Sequence, residues 1–131
     1  MLYIHWKEEN ALGIDIIDEQ HRGIVSVINS YYHYEKKGYS KDALIHTKGI
    51  LDDMTALHFQ TEEALLKEVG YPLLPSHSAL HGTLIKKMNS IFEESLKHDD
   101  PHIFLRFLKE WWLHHINEED KKYASHFKLK G

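Results

Sequence analysis

Histidine is the unusual residue of this chain, with 12 in 131 residues. Several of these rings recur at helical spacing on stripes that should face a core. The stretch His58-Phe59-Gln60-Thr61-Glu62 lies in a run whose inward positions read Leu51, Met54, His58, Glu62, Leu65 and Val69. Steps of three and four residues keep one face of a helix pointing the same way. Imidazole and carboxylate are both metal-ligand types, and a carboxylate in an apolar layer is costly unless paired or metal-bound. A second stripe repeats the pattern with His77, His81, Leu84, Met88 and Ile91. A third carries Phe104, Leu108, Trp111 and His115, with Asp120 beyond it. Three helices that each aim donors into one core point to a metal site built from nitrogen and oxygen.

The spacing His-x3-His is weak by itself in so histidine-rich a chain. The pair His98/His102 straddles Asp100-Pro101, a helix boundary signal, and reads as surface. His5, His33, His46, His114 and His126 have no ligand partner at helical spacing on a buried stripe. His21 lies among Ile24, Val25 and Ile28, and on spacing alone it is a core histidine. It becomes a ligand only if other helices already supply a site. His115 and Asp120 are five residues apart, which is about 140° of rotation on an ideal helix. Either the helix widens or ends there, or Asp120 belongs to the solvated run Glu118-Glu119-Asp120-Lys121-Lys122; the spacing by itself favours the solvated run.

The elements that must position these groups are helices. Residues 1–17 read as an extended arm pinned by Trp6, Ile14, Ile16 and Ile17. Helices are expected at roughly 18–37, 40–69, 76–97 and 101–121. Asp18 and Ser40 are candidate N-caps, and Asp100 followed by Pro101 is a cap and first helical position. Gly38 and Gly70 suit left-handed C-terminal caps, and Pro72 follows the second. No strand pattern competes. Four helices with short connections imply an all-α, up-down-up-down antiparallel four-helix bundle with an extended N-terminal arm, one domain over 1–131.

Composition narrows the function. Hydrophobic residues are 42% and charged residues 27%, the balance of a globular chain. A net charge of −4 without a basic stripe argues against nucleic acid. There is no cysteine, so thiolate metal sites and thiol catalysis are excluded. No stretch approaches the ~20 apolar residues of a membrane span. With no visible signal peptide, a cytoplasmic location is expected.

Taken together these residues resemble the hemerythrin-like family, in particular its single-domain bacterial members. The resemblance covers nearly the whole chain. It runs through Asp18-Glu19-Gln20-His21, His58-Phe59-x-x-Glu62-Glu63, Gly70-Tyr71-Pro72, His77-x3-His81 and His115-Ile116-x3-Asp120. It implies metal ligation by His21, His58, Glu62, His77, His81, His115 and Asp120. It also implies two iron ions with a bridging oxo or hydroxo group, Glu62 and Asp120 each spanning both. His77, His81 and His115 would hold one iron, and His21 and His58 the other. Five imidazoles, two bridging carboxylates and one bridging oxygen leave one of the twelve positions of two octahedral ions open.

The resemblance implies reversible binding of dioxygen for storage, transport or delivery, without enzymatic activity. The alternatives are a di-iron redox enzyme handling peroxide or nitric oxide, and an oxygen sensor acting through a separate partner. Trp112, three residues before His115, stands where many relatives have leucine beside the oxygen site. It reads equally as ordinary core packing.

Overall fold

The computed structural model describes residues 2–124, the side chains of Ile116 and Asn117 excepted. Four long helices dominate: α1 (Asp15–Lys36), α2 (Lys41–Glu68), α3 (Leu74–Lys97) and α4 (Pro101–Trp111). Beyond α4 the winding changes to a π-helix over Trp112–Glu119 and returns to α at Asp120. A single 3-10 turn, Glu8–Asn10, interrupts the arm. No strand occurs among the described residues. No described helix is long and apolar enough to cross a membrane. The chain falls into two compact units, Met1–His58 and Phe59–Gly131, and α2 runs through the boundary between them.

In the first unit the arm is held by side-chain chemistry. Tyr3 and Ile4 donate their backbone N–H groups to Asn29 Oδ1 (3.0 and 2.9 Å), and Asn29 Nδ2 donates to Ile4 O (2.9 Å). The Arg22 guanidinium lies 5.1 Å above the Trp6 ring, a cation–π contact. Ile14 and Ile17 are buried, whereas Ile16 is 44% exposed and pins nothing. α1 begins three residues before Asp18, behind Ile14 as its cap residue. Asp18 turns outward from the helix to the arm: its two carboxylate oxygens accept from Leu12 N–H (2.7 Å) and Gly13 N–H (3.1 Å). The expected capping side chain is therefore a clasp for the residues upstream.

Gly38 (φ 71°) and Gly70 (φ 66°) end α1 and α2 in the left-handed conformation that a Cβ disfavours. Each is followed by a six-to-one backbone bond, Tyr39 N to Tyr34 O and Tyr71 N to Leu66 O, both 2.9 Å. In the second unit α3 starts at Leu74 with Pro75 in its first turn. Asp100 caps α4 by accepting from His102 N–H (3.1 Å), with Pro101 in the first helical position. Phe92 of α3 meets Phe104 of α4 edge to face at 5.0 Å. Leu66, Leu105 and Leu108 are fully enclosed. On α2 the buried line passes through Leu51, Thr55, His58, Glu62 and Leu66, with Met54 and Leu65 half-buried at its edges and Val69 half-buried just past its end.

Candidate metal centre

In the first unit, α1 and α2 each present one fully buried ring. His21 Nε2 and His58 Nε2 stand 3.1 Å apart. His58 Nδ1 is 3.1 Å from Gln20 Oε1. An amide oxygen accepts only, so the proton belongs on Nδ1 and the lone pair of His58 on Nε2. Gln20 thus aims the other nitrogen of the ring toward His21.

In the second unit, five ligand-type groups converge. Glu62 follows His58 by one helical turn on α2, α3 supplies His77 and His81, and the π-helix supplies His115 with Asp120 just past its end. The metal-binding nitrogens of His77, His81 and His115 lie within 4.8 Å of one another. His77 Nε2 donates to Glu62 Oε1, and the same oxygen is 3.1 Å from His81 Nε2. Asp120 Oδ1 is 3.5 Å from His115 Nε2 and 3.7 Å from His77 Nε2. Glu62 and Asp120 are 0% exposed, and His77, the most open of the five, is 7% exposed. A cavity of about 300 Å³, lined by Tyr71, Ser76, Glu119 and Lys122 among others, reaches His77 from outside.

Widening of the helix is what turns Asp120 inward. The Asp120 backbone N–H bonds to His115 O, the i to i+5 pattern of a π-turn. Five residues then approximate one turn, and the two side chains share a side. Asp120 is consequently buried, while Glu118, Lys121 and Lys122 around it stay exposed.

Electrostatics separate two of the rings. Burial pushes the His115 ring down to about 4, against the opposing pull of Asp120 and Glu62. At His77 burial acts in the same direction, but the hydrogen bond and charge of Glu62, with Asp120 and Glu119, outweigh it and raise the ring above its ordinary value. His115 is therefore neutral, as a ligand must be. Neither of its ring nitrogens makes a hydrogen bond among the described residues, although both are buried. A buried imidazole with an uncommitted lone pair, beside two enclosed carboxylates, is the donor set of a metal site. Nitrogen-rich, carboxylate-containing sets suit iron.

Aromatic rings back this cluster. Phe59 stacks on His81 at 3.8 Å and 3°, Trp111 lies over His115 at 6.4 Å and 18°, and Tyr123 meets His77 edge-on at 5.5 Å. Trp112 is 1% exposed, whereas Leu113 is 51% exposed. The histidines read as surface residues are so: His5, His33, His46, His98, His102 and His114 are all exposed. His98 pairs with Glu94 and His114 with Glu118, at 3.2 and 3.0 Å. His126 lies outside the described residues. Residue spacing gave no role to Gln20, Glu63 or Ser78, which touch candidate ligands or one another. Each stands next to a candidate ligand in the chain, and Gln20 and Glu63 fall within the motifs that carry the family resemblance.

Comparison with known proteins agrees with this geometry. The family profile described as "Hemerythrin HHE cation binding domain" matches residues 12–127. The chain is similar to a bacteriohemerythrin of Stenotrophomonas maltophilia, 31% identical over 98% of this chain and 84% of that one. It is also similar to a bacteriohemerythrin of Clostridium acetobutylicum, 34% identical over 90% of this chain and 96% of that one. A crystal structure of a hemerythrin variant superposes with a TM-score of 0.81 at 20% identity, covering 97% of this chain and 98% of the other. That likeness shows the fold, a four-helix bundle.

Proposed function

The chain belongs to the hemerythrin family, and from that membership we propose that it binds dioxygen reversibly at a non-haem di-iron centre. The role is oxygen storage, transport or delivery, carried out by residues 1–131 as one domain. His77, His81 and His115 would hold one iron and His21 and His58 the other, and Glu62 and Asp120 would supply the shared carboxylates. When bound, the iron pair supplies the two electrons that dioxygen takes up and returns.

The observation that carries this reading is the enclosed group of three imidazoles and two carboxylates, with His115 holding two uncommitted ring nitrogens. What the chain does for the chemistry follows from its own side chains. Gln20 fixes the proton of His58 on Nδ1, which leaves Nε2 to bind metal. Phe59 and Trp111 lay aromatic rings against His81 and His115 and exclude water there. The π-turn sets Asp120 on the side of His115. Five neutral rings against two carboxylates make a site of low negative charge. Such a set stabilises high-valent iron poorly, which favours binding over oxidation and a protein that is not an enzyme. The cysteine-free sequence suits a reducing cytoplasm, where we propose that it works.

Metal analysis followed by anaerobic oxygen titration tests the reading. About two irons per chain are expected, with an oxygen-dependent absorption band that disappears under vacuum and returns with oxygen. One tightly held zinc without iron defeats it, and steady turnover with irreversible oxidation indicates a redox enzyme instead.

A further inference from the structure

Outside the ring of candidate ligands, one carboxylate ties α2 to α3. Glu63 Oε2 accepts a hydrogen bond from His81 Nδ1, and Glu63 Oε1 accepts one from Ser78 Oγ, both at 2.8 Å. A carboxylate with both oxygens so engaged is held in one orientation. Its partner ring is held too, between this bond and the Phe59 face. With the proton on Nδ1, the lone pair of His81 sits on Nε2, and that nitrogen is 3.1 Å from Glu62 Oε1. Two acceptors then point into the same space, an arrangement that a cation satisfies and a hydrogen bond does not.

His58 has the corresponding arrangement with a neutral partner, since Gln20 presents an amide oxygen to its Nδ1 at 3.1 Å. The two rings therefore have the same tautomer imposed by partners of different charge. We propose that Glu63 is a positioning residue with an electronic effect: it orients His81 and, by its charge, makes His81 a stronger donor than an amide partner would. A carboxylate behind an imidazole raises the basicity of the metal-binding nitrogen. A stronger donor stabilises the more oxidised metal, so Glu63 makes the iron on His81 easier to oxidise. The side chain of Glu63 is 34% exposed, so it carries its charge in contact with water. This inference rests on the di-iron reading above.

Two variants separate geometry from charge. Glu63→Gln keeps an acceptor of the same length for His81 and removes the charge; Glu63→Ala removes both. In the full-length, iron-loaded chain, Glu63→Gln should raise the midpoint potential of the centre and slow its oxidation in air. Glu63→Ala should do the same and also release iron to a chelator about ten- to a hundredfold faster. A merely structural Glu63 predicts wild-type potential in Glu63→Gln, and equal potentials in the two proteins overturn the proposal. The wild-type iron content is measured first, because absence of paired iron is a failure of the di-iron reading. In that case the decision passes to 15N spectra of the full-length chain loaded with Zn(II). The His81 ring should carry its proton on Nδ1 in wild type and Glu63→Gln and lose that preference in Glu63→Ala. A wild-type His81 protonated on Nε2 overturns the inference whatever the iron content.

Discussion

The ring of Phe59 lies 3.8 Å from that of His81 and within 3° of parallel to it. One residue is the immediate neighbour of His58 on α2, and the other is a candidate ligand on α3. The same phenyl ring meets His115 edge-on at 5.8 Å. Phe59 therefore braces two of the three imidazoles at once. An aromatic pair of this kind contributes about 1 kcal/mol beyond simple burial. Phe59→Leu is expected to lower stability by at least that amount, roughly 4 °C in thermal midpoint, and to speed iron release to a chelator. An unchanged midpoint and release rate would show that the stack holds nothing in place.

Glu62 and His98 make a matched contrast. Glu62 is 0% exposed and touches two rings, whereas His98 is exposed and paired with Glu94 on the surface. Glu62→Ala removes the carboxylate proposed to be shared by the irons and is expected to abolish paired iron. His98→Ala is expected to leave iron content unchanged and stability within about 0.5 kcal/mol of wild type. Equal iron in the two variants, measured by elemental analysis, would mean that burial has misidentified the ligands.

Metal removal and acid should act on the same groups. The metal-free protein is expected to unfold at markedly lower temperature, because its enclosed carboxylates and rings lose their compensating charge. The native His115 ring titrates near 4, below its unfolded value of about 6.5. Between these values the unfolded chain binds a proton that the native ring refuses. The contribution of His115 is thus complete above about 6.5 and disappears as pH falls toward 4, a change on the order of 3 kcal/mol. His77 is raised, so it has the opposite sign: its contribution is full below about 6.5 and fades as pH rises through its native value. Metal-free unfolding measured from pH 4 to 8 should show both effects. In the loaded protein, where ligation needs neutral rings, iron should be lost as pH falls below about 6.5. A flat iron content down to pH 4 would argue against imidazole ligation.

Trp112 is enclosed, with 1% exposure, three residues before His115 in the π-helix. Its indole is larger than a leucine side chain. Trp112→Leu is expected to keep two irons per chain while changing oxygen release and the rate of oxidation to the diferric form. The void left behind should destabilise the fold by up to a few kcal/mol. Stopped-flow release and autoxidation rates equal to wild type, in fully loaded protein, would assign Trp112 to packing alone.

Much of the fold was legible because its ends are marked by residues with one strong preference. Gly38 and Gly70 adopt the left-handed caps, and Asp100-Pro101 opens α4 as its chemistry requires. Helical spacing also separated the buried rings from the surface ones, since His5, His33, His46 and His114 have no ligand partner at helical spacing on a buried stripe. Two things escaped. Asp18 has the residue type of an N-cap, but spacing cannot say whether a carboxylate turns to its own helix or to the arm behind it. Asp120 sits at a spacing that an α-helix forbids and in a run of charges. Only the π winding, a departure from the periodicity on which the prediction depends, brings it inside.

That winding also has a bearing on how the chain came to be spelled as it is. Elsewhere the candidate donors that share a helix are four residues apart, His58 with Glu62 and His77 with His81. His115 and Asp120 alone are separated by five, and the helix accommodates the surplus as a single widened turn. Seen this way, the segment is a four-residue spacing with one residue inserted. Deleting the exposed Glu118 would return it to the common spacing and to ordinary α winding, while keeping both side chains on one side. Tyr123, three residues past Asp120 in ordinary α winding, would keep its angular place relative to Asp120, so the last turn would shift along the axis rather than rotate. The widened turn thus absorbs the extra residue: His115 and Asp120 stay on one side, and the last turn faces as it would in an unbroken α-helix.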